Sequence, residues 1–277
     1  NQVQNSVGAG TFNNAGLFQK TAGTGNTAVN SVFNNTGTVD AQAGTVSFAG
    51  GGAHAGLFTA AAGAAAQFSG NTHVLNAGTG LAGSGTIGIT VATVNVNSAV
   101  TATTSMAQSG GTLTGTGTLT VEGSYSWTGG TMTGTGSTNI GAGGRLALGG
   151  SALTLNGRAL VSAGTASWTS GNLNIINGGV LTNQAGAVFE ALSDNQVQNT
   201  GGAGTFNNAG VFRKTGGAGA TTVNSAFNNT GTVDVQSGTV SFAGGGTHTG
   251  LFTAASGAIA QFSGNTHVLD AGTGLAG

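Results

Sequence analysis

The chain has no cysteine and no proline among its 277 residues, and only 4% of them are charged. Without cysteine there is no disulfide framework and no thiolate metal site. Without proline, no residue removes a donor from a hydrogen-bonded ladder. A formal net charge of −1 leaves no electrostatic footprint for nucleic acid. It also leaves no basic stripe for anionic lipid. No run of 18 apolar residues occurs, so no segment reads as a membrane-spanning helix. Disorder is disfavoured as well. Disordered segments are charge-rich and poor in apolar residues, whereas this chain carries 13 phenylalanines and regularly spaced valine, leucine and isoleucine.

What is present is repetition at two scales. Residues 1–83 return as residues 195–277 at an offset of 194, with 16 differences and no gap. Inside each copy runs a second period of roughly 19 to 22 residues. Phe12-Asn13-Asn14 returns as Phe33-Asn34-Asn35, and Thr112-Leu113-Thr114 returns as Thr131-Met132-Thr133. Short alternating segments such as Thr45-Val46-Ser47-Phe48 and Thr118-Leu119-Thr120-Val121 are bounded by glycine, which is the strand signal. Helix signals are poor, because glycine interrupts nearly every window and each interior glycine costs about 1 kcal/mol relative to alanine.

A step near 20 residues suits one coil of a β-solenoid, with about three short strands joined by turns. Coils stack at the inter-strand spacing of about 4.8 Å. The predicted fold is therefore all-β, a parallel β-helix with coils of about 20 residues. It forms one continuous solenoid over 1–277, about fourteen coils in all. Each coil offers its apolar side chains to the next, burying a column that no coil could bury alone. Coil boundaries are hardest to place over 86–105 and 156–194, where longer excursions are expected. Identical residues one coil apart should form ladders: Phe12 with Phe33, Asn13 with Asn34, and Asn14 with Asn35. The charges suggest the same register. Lys20 and Asp40 lie 20 apart, as do Asp194, Lys214 and Asp234, which would alternate in sign along the stack.

The FNNxGxF and SGGTLTGTGTLTV strings, the Gly-, Thr- and Asn-rich coils and the long near-identical repeats resemble bacterial extracellular β-helix proteins. These are the filamentous haemagglutinin and autotransporter-passenger type and giant repeat-rich surface proteins. The resemblance implies a right-handed helix and export to the cell exterior.

Candidate sites are few. His54 and His73, repeated as His248 and His267, would stack on adjacent coils. Two imidazoles fall short of the three or four protein ligands of a zinc site, so they are read as structural. Carboxylates are scattered, while acid–base chemistry on a polysaccharide needs at least two positioned groups. Glu190 and Asp194 are read as a turn beside Arg213 and Lys214. The threonine arrays are read as strand preference, and Trp127 and Trp168 as packing. No phosphate loop or calcium nonapeptide occurs. The expectation is a non-enzymatic structural protein without cofactor: a segment of a longer array that forms an extracellular fibre, sheath or biofilm-matrix filament. Its main partner would be itself, end to end or laterally, with cell-surface glycans as a second class. The alternative is the stalk of a surface adhesin.

Overall fold

The structure, a computed structural model, describes residues 2–4, 10–151 and 153–277. The chain is an all-β parallel solenoid of about 13 coils, roughly 21 residues each, with no helix among the described residues. It divides into two compact units, Asn1–Ser126 with Gly130–Thr138, and Trp127–Gly129 with Asn139–Gly277.

In the first unit every strand pairs in parallel with the strand three places on. One sheet runs through Asn26–Val29, Thr45–Phe48, Ala65–Phe68, Thr86–Ile89 and Ser105–Gln108. A second runs through Thr11–Asn14, Val32–Asn35, Gly52–His54, Thr72–Leu75, Thr93–Val96 and Thr112–Thr114. A third starts with Leu17–Lys20, Thr38–Ala41, Leu57–Ala60 and Gly80–Gly83. Strands of three or four residues follow from the sequence, since a turn residue arrives before a fifth can join. Residues 86–105, where the sequence blurs, form strands as regular as the rest.

The second unit repeats this plan. One sheet passes through Arg145–Leu148, Thr165–Trp168, Val188–Ala191, Val211–Lys214, Thr232–Val235 and Leu251–Ala254. Another passes through Val180–Asn183, Thr205–Asn208, Ala226–Asn229 and Gly246–His248. Strand Thr11–Asn14 recurs as Thr205–Asn208, 28 described strands on. At three strands per coil, the 194-residue repeat is therefore not a whole number of coils.

Alternate residues of each strand point inward and stack in files. In the first unit one file reads Phe48, Phe68, Ile89, Gln108. Rings meet along and across the files. Phe33 and Phe48 have centroids 4.7 Å apart, and Phe58 meets Phe68 edge-on at 5.3 Å. In the second unit Phe189 and Phe212 stack one coil apart, with planes 9° from parallel. Full burial of such a side chain contributes about 1.5–3 kcal/mol. Trp127 and Trp168 are completely buried, and each indole N–H donates to a glycine carbonyl, of Gly129 and Gly171 respectively.

The turns are equally close. A Cβ added to Gly56 would lie 2.1 Å from the carbonyl oxygen of Gly37 on the coil before. Glycine is required there by backbone approach, not by a left-handed φ.

Candidate functional site

Period-2 alternation splits the paired asparagines. Asn13 and Asn34 are solvated, while Asn14 and Asn35 are buried. The Asn34 amide donates to Asn13 Oδ1 at 2.9 Å on the outside. Inside, Asn14 Nδ2 donates to Asn35 Oδ1 at 2.8 Å, and Asn35 Nδ2 continues to the Leu57 carbonyl. Phe12 and Phe33 occupy the same register and stack with planes 22° apart. The second unit carries the inner ladder further. Asn183 donates to Asn208 and Asn208 to Asn229, each at 2.8 Å. Buried amides must be bonded, and a file of identical residues lets each amide donate to the next, with only the Asn183 Oδ1 at the head of this file left without a partner.

The inner file leads to histidine. Asn35 pairs in register with His54, and Asn229 with His248. His54 and His73 are fully buried. They are not opposite one another: His54 pairs with Leu75, and His73 pairs with Gly52. Gly52 lies tight against the preceding coil, where a Cβ would come within 2.0 Å of the Phe33 carbonyl oxygen, and its φ of 144° favours glycine. The two rings are nearly coplanar, with planes 19° apart and His54 Nε2 3.0 Å from His73 Nδ1. His73 Nε2 lies 3.0 Å from the Phe48 carbonyl oxygen. A carbonyl only accepts, so His73 carries its proton on Nε2 and presents a bare Nδ1 to the Nε2–H of His54. His54 Nδ1 is then a lone pair with no partner. Burial, with a smaller effect of His73, pushes the His54 imidazole down to about 3; burial also pushes His73 down to about 4. Both rings are neutral at physiological pH.

The second unit builds the same pair. His248 Nε2 is 2.9 Å from His267 Nδ1, and His267 Nε2 is 2.9 Å from the Phe242 carbonyl. His248 Nδ1 again has no partner, and burial lowers this imidazole to about 4.

The charges need correcting. Lys20 does not stack on Asp40: the ladder sets Gln19 opposite Asp40 and Lys20 opposite Ala41. The Gln19 amide donates to Asp40 at 2.8 Å. Likewise Asp234 faces Arg213, with Nε to Oδ2 2.9 Å, and Lys214 faces Val235. The local step is 21 residues, and a slip of one residue turns a side chain to the other face. Lys214 therefore points inward. It is fully buried and reaches Asp194 Oδ1 at 2.7 Å and the Gly216 carbonyl at 2.8 Å. That Lys214 hydrogen bond is the main cause holding the Asp194 carboxyl below its usual value, with the Gly219 N–H adding to it. Glu190 sits opposite Arg213 in the ladder and accepts from the Thr215 hydroxyl at 3.1 Å.

Several features escaped the sequence. Arg158 is fully buried, and no pattern announces a charge there. Tyr125 donates to Gln108 Oε1 at 2.8 Å inside the core. Counting inward positions from Phe48 would have placed Gln108 in that file. Thr72, Thr93, Thr112 and Thr131 form one outward file over four coils, longer than the two coils legible in the repeat.

No group of three or more histidines, cysteines or carboxylates is placed to hold a metal ion among the described residues. The geometry defines a β-solenoid repeat protein whose inner polar side chains bond coil to coil. No family model, no curated protein and no solved structure matches this chain.

Proposed function

We propose that this chain is a structural protein, a segment of a bacterial extracellular β-solenoid that builds a fibre, sheath or matrix filament. The observation carrying this reading is the inner asparagine ladder. Asn183, Asn208 and Asn229 spend their amides on joining successive coils, and the buried histidines and Lys214 are likewise engaged in the stack. The chemistry of the interior is thus devoted to cohesion along the axis. A charge-poor surface gives little electrostatic repulsion between copies, so other copies of the same protein are the natural partners, end to end or side by side. Neutral cell-surface glycans are the second partner class. The resemblance to exported bacterial β-helix proteins supports a place at the cell exterior.

The test is antibody labelling of intact, unpermeabilised cells, followed by electron microscopy of the labelled material. Label along continuous filaments or a coat is expected. Label on separate cell-anchored rods with a distinct head would replace the fibre by an adhesin stalk. Label appearing only after permeabilisation, or polysaccharide cleavage by the purified chain, would overturn the proposal.

A further inference from the structure

The histidine pairs have a property that cohesion alone does not require. Each is a hydrogen-bond chain with one direction, buried at His54–His73 and half-buried at His248–His267. The Phe48 carbonyl fixes the proton on His73 Nε2, which fixes the proton on His54 Nε2 and leaves His54 Nδ1 bare. An added proton can go only to that Nδ1. The position lies among apolar rings: Phe58 meets His54 edge-on at 5.0 Å, and Phe68 is 5.8 Å away.

None of the strands packed around the pair places a charged group against it. Val32–Asn35, Thr45–Phe48, Leu57–Ala60 and Ala65–Phe68 contain no ionisable side chain. Asp40, on Thr38–Ala41, lies on the outer face with Gln19 and Gln42. In the second unit the surroundings are Phe252 and Phe262. The nearest ionisable group along the chain is Asp270, exposed, whose backbone N–H donates to the His248 carbonyl; Asn76 holds that place in the first copy.

We propose that the His54–His73 pair is an acid-opened latch: neutral, it pins adjacent coils together, and on protonation those coils part while coils without histidine stay closed. A new cation in this apolar setting has no carboxylate to meet, so opening to water is the way to accommodate it. The lowered imidazole values agree in sign. A histidine whose folded value lies below its ordinary 6.5 favours the folded state fully above 6.5. That contribution shrinks as pH falls from 6.5 towards 4 and below. The inference concerns pH response and stands apart from the fibre reading.

The test uses the full chain and amide hydrogen exchange, corrected for intrinsic rates, between pH 7.5 and 4.5. Protection over 72–75 should fall by about tenfold per pH unit per imidazole below 6.5. Protection over 118–121, in the same unit, should hold. In H54L/H73L the fall over 72–75 should vanish. Ring-nitrogen NMR of the unmodified chain gives a second reading: both rings neutral at pH 7, each with its proton on Nε2. Protection independent of pH, the same pH dependence in the double variant, or a charged ring at pH 7 would each overturn the latch.

Discussion

The inner and outer asparagines of one dipeptide offer a controlled comparison. Asn207 and Asn208 are adjacent, and both ladder to the next coil at 2.8–2.9 Å. They differ in what replaces the partner when one is removed. In N208A, Asn229 Oδ1 and the Thr232 carbonyl lose the Asn208 amide, which reaches them at 2.8 and 3.0 Å. The Asn183 amide loses one acceptor but retains the Val211 carbonyl at 3.0 Å. Two buried acceptors are left short of a donor, at about 1–3 kcal/mol each. The loss should total about 2–6 kcal/mol. In N207A the Asn228 amide turns to water, and the loss should stay below about 1 kcal/mol. Urea unfolding followed by far-UV circular dichroism gives the global comparison. A solenoid need not unfold in one step, so exchange of the Thr230 and Gly231 amides, which donate to the Asn208 carbonyl, gives the local one. Equal destabilisation by the two variants, within about 0.5 kcal/mol, would refute the reasoning that inner ladders carry the cohesion.

Glycines should separate in the same way. G56A drives a Cβ to 2.1 Å from the Gly37 carbonyl oxygen and should cost about 3 kcal/mol. G63A meets nothing within 4 Å and should cost only the positive-φ penalty of about 1 kcal/mol; thermal melts compare them. Breaking the Lys214 contact with D194N should destabilise the second unit by at most about 2 kcal/mol, since the carboxylate is partly solvated. The Asp194 carboxyl sits below its ordinary 3.8, so its contribution is present above that value and fades as pH falls through the folded one. Loss of stability in D194N that is the same at pH 3 and pH 7 would contradict this sign.

The coil and its ladders were legible because repetition of FNN at a step of 21 marks both the strand and its neighbour. Strand alternation then separates Asn13 from Asn14 without further information. Asp194 and Lys214 do meet, but Lys20–Asp40 and Lys214–Asp234 misled because their spacing of 20 is not the local step of 21. In a period-2 structure that single residue decides whether Lys214 faces water or the core. The histidine pair was visible as a pair, but not its geometry. The ladder sets His73 opposite Gly52 and His54 opposite Leu75, and those two residues of register are invisible to a count of 19. Arg158 had no signal, because a lone arginine in a turn reads as solvated. The regular strands over 86–105 were obscured by scarce identity between neighbouring coils, although threonine and valine there supply the same alternation.

On the proposed reading the chain works by stacking coils into a filament. Electron diffraction from aligned native material labelled by antibody to this chain tests it most directly. An axial repeat of about 4.8 Å is expected, the spacing of parallel strands stacked along the filament. Labelled material whose strand spacing runs across the long axis, or which shows no such repeat, would contradict it.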